Sequence, residues 1–110
     1  MSDTDALAAF IADAAPPTGE VTAAELYVDG HTLVKGFALA PGAQVRPHTH
    51  EASTNVFHVV EGTVTVLRDC EEEAIEAPGV VHHDRGVPHG ARNDTDEVAV
   101  FTASLCPMPG

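Results

Sequence analysis

The chain has 110 residues, 44% of them hydrophobic and 5% aromatic, which is enough for one domain with a single core. Its 17 acidic residues against five basic ones give a formal net charge of −12, which disfavours nucleic acid and anionic membranes as partners. No apolar run approaches the length needed to cross a bilayer, and the first residues are acidic where a signal peptide is basic, so we expect a cytoplasmic protein.

The acidic surplus has two interpretations. Lys35 is the only lysine of the chain, and an acidic, lysine-poor surface is typical of a halophilic protein that stays soluble at high salt. The alternative is an acidic patch that binds a basic partner. Because the acidic residues are spread along the chain, we favour the first interpretation.

The N-terminal segment is predicted to be helical. Residues 4–14 carry apolar side chains at helical spacing, and a turn-forming segment, Pro16–Gly19, follows them. The candidate N-cap residues are Ser2, Asp3 and Thr4. We therefore divide the chain into a helix and linker, residues 1–19, and one β domain, residues 20–110. We expect the helix to lie on that domain or on a second subunit, and the protein to be a homodimer.

The rest of the chain has the pattern of an all-β domain. Short segments rich in Val, Thr, Leu and Phe alternate with Gly, Pro and Asp, which predicts many short strands arranged as a sandwich or barrel. A tight hairpin is predicted around Glu61 and Gly62. The nine predicted strands are 24–28, 32–40, 44–50, 55–60, 63–68, 73–77, 80–83, 90–93 and 98–105.

Two histidines with one residue between them, His48 and His50, indicate a metal site. Side chains alternate along a strand, so both imidazoles would lie on one face, about 6.5 to 7 Å apart at their Cα atoms. That spacing suits two ligands of one ion, and imidazole favours Zn, Cu, Fe and Ni. Gln44 and Arg46 would share this face, which is polar enough either to be solvated or to line a polar cavity.

Two segments of the sequence resemble the two conserved motifs of the cupin superfamily. The segment "PGAQVRPHTHEASTNVFHVVEGTVTV" resembles the first motif and "PGVVHHDRGVPHGARN" the second. The matching positions are Gly42, His48, His50, Asn55 and Gly62 in the first motif, and Gly79, Gly86, His89 and Asn93 in the second. The resemblance implies a small antiparallel jelly-roll barrel with one metal ion near its centre, held by His48, His50 and His89.

The sequence departs from the motifs at two positions. Asn55 stands where the first motif has glutamate, so it is a candidate fourth ligand or a hydrogen-bond partner of a ligand. Asp84 stands where the second motif usually has proline, with one residue fewer between Gly79 and Gly86, which is expected to alter a turn near the mouth of the barrel.

Three neutral histidines leave positions open for a ligand, and open positions are typical of catalytic or ligand-binding metal sites. The resemblance to three-histidine cupin dioxygenases implies a mononuclear non-haem Fe²⁺ enzyme, with Zn²⁺, Cu²⁺, Ni²⁺ or Mn²⁺ as other candidate ions. The substrate is expected to be a small chelating anion that contacts Gln44, Arg46 and Phe57. Two alternatives stay open: a Lewis-acid isomerase or lyase, which would need a positioned base, and a non-catalytic module that binds a metal or small ligand.

The other four histidines are less favoured as metal ligands. His58 lies three positions after Asn55 and is expected to face away from the metal. His82 and His83 are adjacent, so at most one can point into the barrel, and an exposed or interface role is favoured for them. His31 is expected to be exposed.

Overall fold

The protein is described by a computed structural model that covers residues 5–107. One helix, α1 (Ala6–Asp13), precedes nine strands. The strands are β1 (Val21–Val28), β2 (Leu33–Leu39), β3 (Gln44–His48), β4 (Thr54–Glu61), β5 (Thr63–Arg68), β6 (Glu71–Glu76), β7 (Gly79–His83), β8 (His89–Arg92) and β9 (Ala99–Cys106). All nine predicted strands are confirmed, most of them with bounds that shift by one to three residues. Within residues 5–107, no helix is long and apolar enough to span a membrane.

The strands form two antiparallel sheets that pack face to face, which confirms the jelly-roll prediction. The larger sheet has the order β1-β2-β9-β4-β7, and the smaller has the order β3-β8-β5-β6. Inward-facing side chains from both sheets form one apolar core, in which Leu39, Phe57, Val64 and Phe101 are almost fully buried. The alternation of buried and exposed residues along β4 shows the period of two that this packing requires.

The hairpin predicted around Glu61 and Gly62 is wrong. β4 pairs with β7 and β9, whereas β5 pairs with β6 and β8, so the chain passes from one sheet to the other at this point. Gly62 makes the sharp change of direction with φ +71°, a conformation that most L-residues avoid. The short connection at Gly62 therefore joins a strand of one sheet to a strand of the other and is not a hairpin turn within one sheet.

The predicted helix is confirmed, although its cap is not one of the candidates. Asp5 caps α1 and accepts a hydrogen bond from the backbone N–H of Ala8 at 3.0 Å. Ser2, Asp3 and Thr4 lie outside the described residues. Phe10 is the buried residue of the helix, and it packs with Ala38 and Val100 into a second, smaller apolar cluster. The helix therefore covers the larger sheet on the side away from the main core.

Candidate metal centre

Three histidines meet where β3 and β8 pair. His48 is the last residue of β3 and is the cross-strand partner of His89, the first residue of β8. His50 follows two residues after His48, and the backbone N–H of Gly86 donates to its carbonyl oxygen at 2.9 Å, which ties this segment to the β7–β8 loop. One ring nitrogen from each of the three histidines lies within 4.8 Å of the other two, so the three could bind a single ion.

The backbone hydrogen bonds of two rings make Nε2 the unprotonated nitrogen, which is the one that could bind a metal. Nδ1 of His48 lies 3.0 Å from the carbonyl oxygen of Arg46, and Nδ1 of His89 lies 2.9 Å from that of Val87. A carbonyl oxygen can only accept, so Nδ1 carries the proton in both rings and Nε2 keeps its lone pair. A backbone carbonyl in this role fixes both the tautomer and the orientation of a metal-binding histidine.

Burial favours the neutral, metal-binding form of His50 and His89. Burial lowers the pKa of His50, and the nearby His48 and Lys35 side chains lower it further. Burial likewise lowers the pKa of His89, against a smaller rise from its hydrogen bond to Val87. A histidine must be neutral to bind a metal, so a lowered pKa extends the metal-binding form toward acidic pH.

Asn55 lies against the three histidines, as the first motif predicts for this position. It is buried on β4, and its Nδ2 lies 3.0 Å from Nε2 of His89. Its Oδ1 is also buried and has no hydrogen-bond partner among the described residues. A buried carbonyl oxygen without a partner is costly. Rotation of the amide by about 180° would turn Oδ1, in place of Nδ2, toward Nε2 of His89, where an ion would give it a partner. The donor set therefore fits a divalent transition metal, with three imidazoles and one amide oxygen.

A bulge in β3 contradicts the prediction that Gln44 and Arg46 share a face with His48. Val45 pairs with Ala91 and His48 pairs with His89, so two residues of β3, Arg46 and Pro47, lie opposite Gly90 alone. The extra residue reverses the side-chain alternation, which places Val45 on the same face as His48. Gln44 and Arg46 are exposed.

Gly90 makes this bulge possible, because a side chain there would collide with the backbone of β3. A Cβ atom at Gly90 would lie 2.6 Å from the Val45 carbonyl oxygen and 3.0 Å from the Pro47 nitrogen. We expect Gly90→Ala to lower the free energy of unfolding by about 1–3 kcal/mol, because backbone atoms cannot move aside as a flexible side chain can. Chemical denaturation measures the change.

Gly30→Ala is the matched control for Gly90→Ala. A Cβ atom at Gly30 meets no atom within 4 Å, and so the change should stay within about 0.5 kcal/mol. An equal cost at both positions would contradict the steric role of Gly90.

A cavity of about 400 Å³ opens beside the histidines, between the two sheets. His48, His50 and Asn55 form its polar part together with Lys35. Apolar side chains form the rest of the wall, namely Leu33, Phe37, Val45, Phe57, Phe101, Ala103 and Leu105. Phe57 therefore lies where sequence reasoning placed it, whereas Gln44 and Arg46 are not part of the lining. Sequence reasoning did not place Lys35 at the site. The signal that could have indicated its role is that it is the only lysine of the chain.

The remaining histidines divide into exposed and buried. His31, His58 and His82 are exposed, as expected for His31 and His58, and His82 lies 3.5 Å from Asp84. The exposed or interface role favoured for His83 is wrong, because this side chain is fully buried. The alternation along β7 could have indicated this, since Val81 and His83 share one face.

His83 packs directly behind a candidate ligand. Its ring stacks on that of His89, with centroids 4.4 Å apart and planes 4° apart, and it meets the edge of Phe57 at 4.4 Å. Neither ring nitrogen has a hydrogen-bond partner within residues 5–107. Burial, with smaller effects from neighbouring basic side chains, lowers the pKa of His83 to about 3. His83 is therefore a neutral imidazole in an apolar environment, and its ring packs against the ring of His89.

The two packed sheets and the group of three histidines that could bind a metal together define a jelly-roll protein with a candidate metal site, and the sequence agrees. A model of the cupin domain matches residues 37–106, so the chain belongs to the cupin family. No curated protein matches the sequence.

Solved structures with the same fold are numerous and diverse. TT1209 from Thermus thermophilus is 27% identical, with a TM-score of 0.81 over 87% of this chain and 91% of that one. An oxalate decarboxylase predicted in Thermotoga maritima is 22% identical, with a TM-score of 0.75 over 80% and 81% of the two chains. The polyketide cyclase RemF from Streptomyces resistomycificus is 20% identical, with a TM-score of 0.72 over 84% and 69%. The latter two similarities concern the fold alone.

Proposed function

We propose that this cupin binds one divalent transition metal ion, Fe²⁺ in the favoured case, and oxidises a small chelating molecule as a dioxygenase. The observation that carries the proposal is the convergence of His48, His50 and His89 beside a largely apolar cavity, whose wall includes His48 and His50. All three ligands are neutral, so a bound ion would keep its full charge and attract an anionic chelating substrate. When bound, Fe²⁺ would supply electron transfer between a coordinated substrate and O₂.

The residues of the chain would bind and shield the substrate. The aromatic side chains Phe37, Phe57 and Phe101 form much of the cavity wall, and such a wall excludes water from the reacting groups. Asn55 would hold its amide against the ligand set, and the carbonyl oxygens of Arg46 and Val87 would keep His48 and His89 in the metal-binding tautomer.

The lining of the cavity also bears on the two alternatives. A Lewis-acid isomerase or lyase needs a positioned base, yet no aspartate or glutamate of the described residues lines the cavity. The composition of the wall therefore favours oxygen chemistry over proton abstraction by a carboxylate. A non-catalytic binding module would bind its ligand at the same wall. Only an enzyme would convert that ligand to a product, so a turnover measurement distinguishes the two.

The test combines metal analysis with oxygen uptake. Untagged protein is purified in high salt without chelators and compared with the His48→Ala/His89→Ala double variant. We expect near-stoichiometric iron in the wild type only, and oxygen consumption with one class of bidentate probe among thiols, β-diketones and dihydroxybenzoates. Binding of a probe without oxygen uptake by the iron-loaded protein would contradict the dioxygenase proposal and favour a binding module. Absence of any stoichiometric metal after reconstitution would overturn the metal site.

A further inference from the structure

The cavity contains a cation to which nothing so far assigns a role. Lys35 lies on β2 between Leu33 and Phe37, and its side chain is part of the same wall as His48 and His50. It is the only lysine in a chain with 17 acidic residues. This single ammonium is half-buried and lies beside the candidate metal centre, where it could bind an anionic ligand.

Lys35 has no partner of opposite charge among residues 5–107. It forms no ion pair or hydrogen bond with any of them, even though Glu25 is its cross-strand neighbour on β1. Instead, Nζ lies 5.4 Å from the centroid of the Phe37 ring, which also lines the cavity. The half-buried ammonium thus contacts an aromatic wall and no carboxylate of the described residues, which leaves it able to bind an anion in the cavity.

Lys35 is the only lysine or arginine of the described residues that lines the cavity, since Arg46 and Arg85 are exposed and lie outside its lining. Arg68 and Arg92 are paired with carboxylates on the smaller sheet, Arg68 with Glu73 at 3.8 Å and Arg92 with Glu72 at 2.9 Å. None of the described acidic residues lines the cavity, so its formal charge without a metal comes from Lys35 alone while the three histidines are neutral. A cavity with one positive charge and apolar walls favours an amphipathic anion.

We propose that Lys35 binds the carboxylate of a small-molecule ligand whose apolar body occupies the cavity. This assigns a substrate class, apolar monocarboxylates, and it rests on the proposed function only in that the cavity beside the histidines is the ligand site. The ammonium donates hydrogen bonds to the carboxylate, and the aromatic wall contacts the hydrocarbon part. Lys35 thus takes the role that sequence reasoning gave to Arg46.

The test compares two probes with the same hydrocarbon body, 3-phenylpropionate, which carries a charged carboxylate, and 3-phenylpropanamide, which carries a neutral amide. Calorimetric titration of metal-free protein at one fixed ionic strength gives the ratio of their affinities. We expect the carboxylate to bind about tenfold more tightly than the amide, as for one charge-assisted hydrogen bond. Lys35→Met should reduce the ratio to about one, because the carboxylate loses more binding free energy than the amide, whereas Lys35→Arg should keep the preference.

Glu25→Gln is the matched control. If Lys35 serves the cavity, removing the carboxylate of Glu25 keeps or increases the preference for phenylpropionate. The proposal is overturned if wild-type protein binds both probes equally, if neither probe binds at millimolar concentration, or if Lys35→Met keeps the preference. Thermal unfolding of each variant confirms that the fold is intact.

The outcome is separable from that of the proposed function. A carboxylate preference in metal-free protein that never binds iron would retain Lys35 as the anion site and reject the dioxygenase. Stoichiometric iron and oxygen uptake in Lys35→Met with undiminished affinity for anionic substrate would reject the role of Lys35 and retain the dioxygenase.

Discussion

The His48→Ala variant is expected to bind a divalent transition metal roughly 10²- to 10³-fold more weakly than the wild type. A structural zinc site with four ligands contributes about 10–16 kcal/mol, so one ligand accounts for about 2.5–4 kcal/mol of binding free energy. His48 is exposed and makes one hydrogen bond, to the Arg46 carbonyl oxygen, so its removal should leave the fold intact. Competition with a chromophoric chelator measures the affinity.

His58→Ala is the control for this measurement. His58 is also a histidine on a strand next to the cavity, but it is exposed and is not part of the three-histidine group. Its removal should leave the metal affinity unchanged within about twofold, that is, within about 0.5 kcal/mol. Equal losses in the two variants, or none in His48→Ala, would mean that the metal is bound elsewhere.

The His83→Phe variant is expected to be more stable than the wild type, above all in acid. Phenylalanine preserves the stacking on His89 and the contact with Phe57 while removing two buried nitrogens that have no partner among the described residues. Burial of unpartnered polar atoms costs about 1–3 kcal/mol, so the free energy of unfolding at neutral pH should increase by up to that amount.

The pH dependence follows from the lowered pKa of His83. Its pKa is about 3 in the folded protein, against an ordinary value of 6.5. Between these values the unfolded chain binds the extra proton, so stability falls as the pH falls, by at most about 1.4 kcal/mol per pH unit for one proton. The loss should begin below pH 6.5 and continue toward pH 3 in the wild type, and it should be smaller by a few kcal/mol in His83→Phe.

Urea unfolding of EDTA-treated protein at several pH values tests the expectation without a contribution from metal. His58→Gln provides the comparison, because this exposed histidine should change neither the stability nor its pH dependence by more than about 0.5 kcal/mol. If His83→Phe and the wild type lost stability in parallel between pH 6.5 and 3, His83 would not be the neutral buried group that the packing indicates.

The class of fold and the identity of the three histidines followed from the sequence alone. Alternating β-branched and polar residues between Gly and Pro predicted all nine strands, because a strand with one face in a core must repeat with a period of two. His48 and His50 come together by local spacing. His89 was assigned only through the second cupin motif, since strand pairing between β3 and β8 is what brings it to them.

The face on which a side chain lies was decided by tertiary structure wherever the regular pattern breaks. The bulge opposite Gly90 moved Val45 into the cavity and left Arg46 outside it, because one extra residue reverses the alternation. In the same way, Gly62 carries the chain from one sheet to the other, which no local signal distinguishes from a hairpin turn.

The surroundings of each polar residue also depended on contacts between distant segments. Local sequence shows that Lys35 is unique, but only the packing of β2 against β9 and the three histidines places it in the wall of the cavity. His83 is buried because β7 pairs with β4, which brings it beside Asn55 and behind His89. The sequence by itself thus determined the all-β fold class, which depends on local periodicity, and the resemblance to the cupin motifs implied the three candidate ligands. Burial, charge partners and the lining of the cavity depend on contacts between residues far apart in the chain, and only the tertiary structure decided them.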